Sequence, residues 1–425
     1  MLIRFKGARI VDPGNMDEEQ DLLVKNGLVH ALIPPTAEDP EPEVKTIDVT
    51  GMILVPGLID LHVHLREPGH EYKETIESGL RAAAKGGFTG VCPMPNTHPV
   101  NDNAQVTQFI VNRAKEIGLS RVYPVGAISL GLKGTTISEY SDMKQAGMVA
   151  ISDDGRPVED SSVIRRAMEY ASGLGLPVIS HSEDLSLASG GSMNEGTVAT
   201  RLGLKGIPNA AESIMVMRDI AIAELTGARL HIAHVSCEES VDAIRHGKER
   251  GVRVTCETAP HYFTLTDQAV ADYDTHAKMN PPLRTETDRL AIIKGLEDGT
   301  IDMIATDHAP HSKLEKEVEF DSALFGIIGL ETSLSLSLKL VQDGVITMET
   351  LVEKMSRNPA AFLGMDNRLI PGNVADITVI DPERCHVIDP ATFVSKSRNT
   401  PFSGMEVKGD VFLTMVQGGI VFQRS

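Results

Sequence analysis

The chain has 425 residues, 41% of them hydrophobic, which is enough for a barrel of about 250 residues beside a smaller domain. Its 59 acidic and 40 basic residues give a formal net charge of −19, which disfavours nucleic acids and anionic membranes as partners because both are polyanions. No apolar run approaches the roughly 18 residues that span a bilayer, and the four cysteines lack CxxC spacing, so we predict a cytoplasmic protein without a disulfide framework or a cysteine zinc site.

The two ends of the chain share one pattern. The opening, MLIRFKGARIVDPG, alternates apolar and polar residues up to a Pro-Gly turn and has no continuous apolar core typical of a signal peptide. Residues 368–425 alternate in the same way, as in DITVIDP and GDVFLTMVQGGIVFQ. We therefore expect residues 1–55 and 366–425 to pair into one small β-sandwich domain.

Between these ends, eight short apolar runs alternate with helix-like segments such as IESGLRAAAKGG, which keep helical spacing and end at glycine. The runs are rich in Val, Ile and Ala with little alternation, which is typical of buried parallel strands. They are MILVPGLIDLHVH (52–64), FTGVCPMP (88–95), RVYPVGAI (121–128), GMVAIS (147–152), LPVISH (176–181), ARLHIAHV (228–235), GVRVTCE (251–257) and IDMIATDH (301–308). Eight strand–helix cycles predict an α/β protein with a (β/α)₈ TIM barrel over residues 56–365, whose catalytic groups lie at the carboxyl ends of the strands.

Metal-ligand residue types cluster where these runs end. His62 and His64 lie two residues apart on one strand, so both side chains face the same side and can bind one cation. A His-x-His pair alone is a weak signal, because packing explains it equally well. Four more runs end in the same residue types, and the whole set predicts one site at the rim: Asp153 and Asp154, His181, His234, and Asp307.

Other polar residues near these strand ends have simpler interpretations. His231 is three residues before His234 on the same strand, so we expect it to face the helical layer and to be structural, and we interpret His308 in the same way. Asp60 suits a supporting role, accepting a hydrogen bond from a ligating imidazole. Spacing alone does not separate Asp153 from Asp154.

The number of candidate ligands exceeds what one metal needs. Four histidines and two carboxylates are too many for one tetrahedral zinc, but they suit two metals about 3.5–4 Å apart that share a bridging carboxylate and a bridging hydroxide. Imidazole-rich ligation favours zinc over magnesium or calcium. The ligand types leave cobalt and manganese open.

The sequence resembles bacterial type I dihydroorotases of the amidohydrolase superfamily along nearly its whole length. The matching motifs, in the family's order, are PGLIDLHVHLREPG (56–69), MPNTHP (94–99), SDDG (152–155), the strand-end His181 and His234, MNPPLR (279–284), TDHAPH (306–311) and FGIIGLET (325–332). The resemblance implies two Zn²⁺ ions per subunit, held by His62, His64 and Asp307 at the more buried position, by His181 and His234 at the other, and by Asp154 and a hydroxide between them. Many relatives use a carboxylated lysine where this chain has Asp154.

The resemblance also implies a substrate-binding set. Arg66 would clamp the substrate carboxylate, with its planar fork suited to that group, and Asn96, Asn280 and His311 would add polar contacts. His64, Leu65, Phe325 and Gly326 complete the set. Without the resemblance, Arg66 is equally well interpreted as an ion-pair partner and Asn96 as a turn residue. Family members often have proline before Phe325-Gly326, where this chain has Leu324, and losing proline leaves the loop less constrained.

The implied reaction is the reversible cyclisation of N-carbamoyl-L-aspartate to L-dihydroorotate in de novo pyrimidine biosynthesis, with Asp307 as the proton shuttle. Two alternatives remain open at this stage. One is another cyclic amidohydrolase, such as an allantoinase or hydantoinase, although the allantoinase substrate has no carboxylate for Arg66. The other is a non-catalytic subunit of aspartate transcarbamoylase, which would have no need of a complete ligand set. We also expect a homodimer, with an aspartate transcarbamoylase complex as a further prediction.

Overall fold

The computed structural model describes residues 2–37 and 44–425. Within these ranges the strands form two large units, a ring of parallel strands and a separate sheet built from the two ends of the chain. In chain order the strands are β1 (Leu2–Asp12), β2 (Met16–Lys25), β3 (Leu28–Ile33), β4 (Lys45–Asp48), β5 (Ile53–Pro56), β6 (Leu58–Val63), β7 (Phe88–Pro93), β8 (Arg121–Val122), β9 (Val125–Ala127), β10 (Ala150–Ser152), β11 (Val178–Ser180), β12 (Met193–Asn194), β13 (Gly206–Ile207), β14 (Leu230–Ile232), β15 (Val254–Thr258), β16 (Met303–Ile304), β17 (Ile377–Val387), β18 (Glu406–Val416) and β19 (Gly419–Gln423).

Helices follow the strands of the ring. They are α1 (Ile76–Lys85), α2 (Ala104–Ile117), α3 (Tyr140–Gln145), α4 (Ser161–Gly173), α5 (Leu185–Ala188), α6 (Thr197–Leu202), α7 (Ala210–Thr226), α8 (Glu238–Glu249), α9 (Pro260–Thr264), α10 (Glu286–Asp298), α11 (Lys313–Lys316), α12 (Ser333–Gln342), α13 (Met348–Val352) and α14 (Asn358–Phe362). Short 3₁₀ segments lie at Leu130–Leu132, Asp267–Tyr273, Thr275–Ala277 and Pro390–Thr392, and a π-helical turn at Glu353–Arg357 joins α13 to α14. Among the described residues, no helix combines the length and the apolar character that a membrane crossing requires.

The ring is the predicted (β/α)₈ barrel. Its strands are β6, β7, β8 with β9, β10, β11, β14, β15 and β16, all paired in parallel. The third strand is interrupted near Pro124, so β8 pairs with β7 while β9 pairs with β10. A parallel bridge between Val63 and His308 joins the first strand to the residues that follow the eighth. All eight predicted strands are therefore confirmed.

The strands have little sequence alternation because both of their faces are covered. Val178 and Ile232 belong to the cluster that packs the barrel against its helices, whereas Ile59, Ile179 and Met303 fill a smaller cluster inside the barrel. Apolar residues on both faces are the pattern expected of a parallel barrel strand. This packing holds the strand ends, and the side chains they carry, in fixed positions.

The two ends of the chain meet in one eight-stranded sheet with the order β19-β18-β17-β5-β1-β2-β3, and β4 pairs with β1. It packs around a core of its own that includes Phe5, Leu54 and Leu413. The apolar run 52–64 contains two strands rather than one, since β5 joins this sheet and β6 begins the barrel. Gly57 separates them, and an added Cβ there would collide with Thr89. We propose residues 1–55 and 366–425 as the small domain and 56–365 as the barrel.

Candidate functional site

Six predicted metal ligands lie together at the carboxyl ends of five barrel strands. His62 Nε2 is 3.1 Å from Asp154 Oδ1, and His64 Nε2 is 3.1 Å from Asp307 Oδ1. His181 Nδ1 is 2.9 Å from His234 Nε2. All six side chains are buried. We call them the ligand cluster: His62, His64, Asp154, His181, His234 and Asp307.

The cluster divides into two groups that could each hold a metal ion. One contains His62, His64 and Asp154, the other Asp154, His181 and His234, and the ligand atoms within each group lie within 4.8 Å of one another. Asp154 belongs to both groups. A carboxylate shared by two sets of imidazoles is the arrangement that a two-metal centre requires.

The backbone turns sharply where the ligands leave their strands. His234 has φ +35° and Asp307 has φ +47°, values that non-glycine residues rarely adopt. These turns direct both side chains over the end of the barrel instead of along the strand alternation. Strained backbone of this kind persists only where the surrounding packing enforces it.

Asp153 and Asp154, which spacing did not separate, have different surroundings. Asp153 accepts backbone hydrogen bonds from His181 N at 2.9 Å and from Val158 N at 2.7 Å, so both of its oxygens are occupied in holding loops together. Asp154 instead faces the histidines. The geometry therefore favours Asp154 as the ligand.

The structure corrects the role expected for Asp60. Its carboxylate accepts hydrogen bonds from the backbone N of His62 at 3.0 Å and from the backbone N and hydroxyl of Thr306 at 3.1 and 2.6 Å. Within the described part of the chain it accepts none from an imidazole. Asp60 thus joins the first strand to the eighth. Both of its oxygens are occupied by these donors.

Glu257, at the end of β15, takes the role that we had expected of Asp60. Its Oε1 lies 2.8 Å from His62 Nδ1, and its Oε2 lies 3.2 Å from Nε2 of His231. The orientation expected for His231 was wrong. Leu230 and Ile232 face the helical layer, so alternation along β14 turns the His231 ring into the barrel, beside Phe362. The turn at His234 ends this alternation, which is why His231 and His234 do not face opposite sides. Glu257 could have been found from its position at a strand end, and His231 from its alternation with Leu230 and Ile232.

The electrostatics keep the carboxylates of the ligand cluster ionised. Burial acts to raise the pKa of Asp154, but the charge of His62 and the hydrogen bonds from His181 and His234 outweigh it and hold that pKa well below its ordinary value. Burial opposes ionisation of Asp307 too, yet contacts with His64 and His62 lower its pKa. An ionised carboxylate is the form that binds metal.

One buried nitrogen tests whether a cation fits the cluster. His62 Nε2 makes no hydrogen bond among the described residues, although it lies 3.1 Å from Asp154 Oδ1 and 3.7 Å from Asp307 Oδ1. These distances are suited to a metal ion that is bound by the ring nitrogen and by both carboxylate oxygens. His62 Nδ1 is meanwhile held by Glu257, which fixes the ring as metal-ligating histidines require. The residues present therefore fit a metal centre.

A cavity of about 230 Å³ opens above the ligand cluster. It is lined by five of the six ligands, His62 lying beneath them, and by most of the predicted substrate-binding residues. The lining is His64, Arg66, Asn96, Asp154, Gly155, His181, His234, Asn280, Asp307, Ala309, His311, Phe325 and Gly326. Leu65 is the exception among the predicted residues, because its side chain is buried in the core between barrel and helices.

Arg66 has no carboxylate partner among the described hydrogen bonds and ion pairs. It has φ +63°, its Nε donates to Pro310 O at 3.1 Å, and its Nη2 lies 3.5 Å from His311 Nε2. The side chain is only 9% exposed. The ion-pair interpretation of Arg66 is therefore not favoured, and its guanidinium is placed to meet an anion inside the cavity.

His311 is neutral and has one defined tautomer. Burial, with the charges of Arg66 and Lys73, lowers the pKa of His311 to about 2. Its Nε2 lies 2.7 Å from Phe325 O, which can only accept, and its Nδ1 lies 3.4 Å from the Lys73 ammonium, which can only donate. The ring therefore carries its proton on Nε2 and connects the strand-eight loop to the cavity wall.

The two asparagines contact the ligand cluster or its support. Asn96 Oδ1 lies 2.9 Å from His64 Nδ1, and its Nδ2 donates to Asp154 Oδ2 at 3.3 Å. Asn280 Nδ2 donates at 3.0 Å to Glu183, whose other oxygen lies 3.4 Å from His181 Nε2. Glu183 was not identified from the sequence, although its position two residues after His181 was a usable signal.

Comparison with known proteins agrees with this architecture. A family model described as Dihydro-orotase-like matches residues 51–240. A protein named Dihydroorotase from Desulforapulum autotrophicum is 81% identical over 424 residues, covering 100% of both chains. Another of that name from Geobacter metallireducens is 57% identical, again over 100% of both chains.

Solved structures share the fold at lower identity. An L-hydantoinase (dihydropyrimidinase) from Arthrobacter aurescens superposes with a TM-score of 0.89 at 27% identity, covering 100% of this chain and 96% of the other. A D-hydantoinase superposes with a TM-score of 0.87 at 23% identity, covering 100% and 95%. The barrel with its terminal sheet is therefore a known architecture.

Proposed function

This chain belongs to the dihydroorotase family, and we propose that its cavity interconverts N-carbamoyl-L-aspartate and L-dihydroorotate, the cyclisation step of pyrimidine synthesis. It is a cyclic amide hydrolase of the metal-dependent type. One observation carries the proposal: the ligand cluster lines the same small cavity as Arg66, whose guanidinium has no carboxylate partner among the described residues. A metal centre acts on the amide, and a cation beside it selects a substrate with a carboxylate.

We assign two metal ions to the cluster and propose zinc for both. One ion would be held by His62, His64 and Asp307. The other would be held by His181 and His234, and Asp154 would bind both ions. The support is the imidazole-rich donor set, which favours zinc, and the division into two groups around one carboxylate. When bound, the ions supply Lewis-acid polarisation of the scissile carbonyl and a water of lowered pKa.

Asp307 is the proton carrier of the proposed mechanism. In ring opening, the oxygen of water bonds to the ring carbonyl carbon, the carbon–nitrogen bond breaks, and the departing nitrogen gains a proton. The ionised Asp307 lies at the cavity floor, where it can accept the proton from water and deliver it to that nitrogen. The new carboxyl group leaves as a carboxylate, so the water loses a second proton, which stays on Asp307 until it is released to solvent. Ring closure is the reverse path and therefore starts with Asp307 protonated.

The remaining residues of the cavity bind and orient the substrate. Arg66 binds the carboxylate through its paired N–H groups, and Asn96 and Asn280 offer amide contacts on either side of the ligand cluster. The Phe325–Gly326 segment forms part of the cavity wall. The side chain of Leu65 faces the core, so Leu65 can contact the substrate only through its backbone.

The alternatives are less well supported. A hydantoinase or allantoinase would share the barrel and the metals, but its substrate ring carries no carboxylate to pair with Arg66. The relatives that are 81% and 57% identical along the whole chain bear the dihydroorotase name. A purely structural partner of aspartate transcarbamoylase would not require six assembled ligands.

We further propose a homodimer, with an aspartate transcarbamoylase complex as a second form. Helix α7 supports the proposal, because it has an exposed apolar face. The exposed fractions of Ile214, Met217 and Leu225 are 47%, 52% and 66%. Exposed apolar side chains at helical spacing are typical of a protein contact. Light scattering of the protein alone, and then with the transcarbamoylase, tests both assemblies; a monomer by itself would reject the dimer.

The proposed activity is tested by spectrophotometric measurement of dihydroorotate ring opening. Purified protein is stripped with a chelator, shown to contain no metal, and then reloaded with zinc. We expect activity to disappear on stripping and return on reloading. Zinc-loaded protein that leaves dihydroorotate intact but opens hydantoin or allantoin would replace this function with the competing one.

A further inference from the structure

Lys316 is a buried cation beside the cavity that takes no part in the mechanism described above. Its side chain is 1% exposed, at the end of α11. The ammonium group donates to three backbone carbonyls, those of Leu324 at 2.8 Å, Lys278 at 3.1 Å and Gly326 at 3.1 Å. An ammonium has three donors, so these carbonyls use its full capacity. Burying a charge is costly unless such bonds compensate for it.

The three carbonyls belong to two separate walls of the cavity. Lys278 precedes Asn280 by two residues, whereas Leu324 and Gly326 flank Phe325. The backbone N of Gly326 also donates to Lys278 O at 3.0 Å, so the two walls touch directly where Lys316 joins them. One side chain therefore connects two segments that the fold brings together from distant parts of the chain.

Neighbouring side chains also contact the Phe325–Gly326 wall. Lys278 Nζ donates to Phe320 O at 2.7 Å and lies 4.6 Å from the centre of the Phe325 ring. Asn399 Nδ2 donates to Gly326 O at 3.0 Å. At Leu324, which is 41% exposed, there is no proline to restrict the backbone. The hydrogen bonds from Lys316 and Asn399 to the carbonyls of residues 324 and 326 restrict this backbone in place of a proline.

We propose that Lys316 is a positioning residue that ties the Phe325–Gly326 wall to the segment before Asn280 and thereby shapes the side of the cavity that receives the substrate ring. The part concerning the substrate rests on the proposed function. The part concerning the wall does not, because it follows from the hydrogen bonds alone. Lys316 does not line the cavity and is assigned no contact with substrate.

The test compares Lys316→Met, which keeps the length of the side chain and removes the ammonium, with Lys313→Met on the exposed face of the same short helix. Burial and the charge of Lys278 lower the pKa of Lys316 to about 7, so the measurements are made near pH 6. Hydrogen–deuterium exchange measures how well the backbone of the wall is held. Steady-state cyclisation of N-carbamoyl-L-aspartate measures the effect on substrate binding and turnover. Metal content and melting temperature are recorded for each protein.

For Lys316→Met we expect amides in residues 320–326 to exchange at least about tenfold faster than in the wild type. We expect KM to rise about tenfold while kcat stays within about threefold. Lys313→Met should match the wild type in both. If Lys316→Met does not fold, Lys316→Gln, a shorter side chain with two N–H donors, is measured in its place.

The two readouts separate the possible failures. Unchanged exchange in the folded variant overturns the proposal, whatever the kinetics. Faster exchange with an unchanged KM rejects the role toward substrate. If the wild type does not act on the substrate at all, the proposed function fails, and exchange still decides whether Lys316 holds the wall.

Discussion

His62 and His231 share the carboxylate of Glu257, one histidine on each oxygen. All three side chains are buried. Burial acts to raise the pKa of Glu257, but the hydrogen bonds to His231 and His62 outweigh it and lower that pKa to about 2. The ionised carboxylate accepts a hydrogen bond from Nδ1–H of His62, so Nε2 is the nitrogen that binds metal when its own proton is displaced. A residue outside the ligand cluster thus sets the tautomer of a ligand inside it.

Replacing Glu257 should weaken metal binding. In Glu257→Gln the amide keeps the shape but loses the charge that holds the His62 proton on Nδ1, so we expect the affinity for zinc to fall by about 10- to 100-fold. Competition with a chromophoric chelator measures this affinity directly. Glu297→Gln, an exposed glutamate on α10 that pairs with Lys294, is the matched control. Equal affinities in the two variants would show that Glu257 does not support the ligand.

Replacing Asp307 should stop turnover. Asp307→Asn removes the proton acceptor while keeping a similar side-chain volume, and we expect kcat to fall by about 100- to 10,000-fold. The same assay is applied to Asp343→Asn, which changes an exposed aspartate paired with Lys339. Because Asp307 also belongs to the ligand cluster, metal content is measured beside activity. A fully loaded Asp307→Asn enzyme with near-normal kcat would remove Asp307 as the proton carrier.

Replacing Arg66 should weaken substrate binding more than catalysis. For Arg66→Ala we expect KM for dihydroorotate to rise about 10- to 100-fold, equivalent to roughly 1.4–2.8 kcal/mol. Preference for dihydroorotate over dihydrouracil, which has no carboxylate, should shrink by a similar factor. Arg81→Ala, on the exposed face of α1, should change neither value. An unaltered preference in Arg66→Ala would mean that the carboxylate binds elsewhere.

The two directions of the reaction should respond differently to pH. Burial acts to raise the pKa of Asp307, but the hydrogen bond from His64 and the charge of His62 lower it, so Asp307 is already a carboxylate near neutral pH. Ring opening uses this form, so Asp307 should give its rate no pH dependence there, whereas ring closure needs the protonated form and should slow down as the pH rises. Initial rates in both directions from about pH 6 to about pH 9, at constant metal occupancy, test this. A ring-closure rate that does not fall with rising pH would contradict the assignment.

Much of the fold could be predicted because buried parallel strands have a distinctive composition. Eight apolar runs rich in Val, Ile and Ala can be counted in the sequence without tertiary information. Barrel enzymes place their catalytic groups at the carboxyl ends of the strands, and this rule indicated His62, His181 and Asp307. The run 52–64 was interpreted as one strand although it contains two, because β5 and β6 are equally apolar and only their different neighbours separate them.

The sequence by itself determined the barrel, the residue types at its rim and the family, because these depend on composition, order and motif. The family resemblance already implied Asp154 rather than Asp153 as the ligand, and the tertiary structure supplied the physical reason. Only the tertiary structure decided that Glu257 rather than Asp60 holds the His62 ring and that Lys316 ties the cavity wall. These outcomes depend on backbone turns and on contacts between segments far apart in the chain. Strand alternation does not encode such turns, so no local pattern reveals where those side chains point.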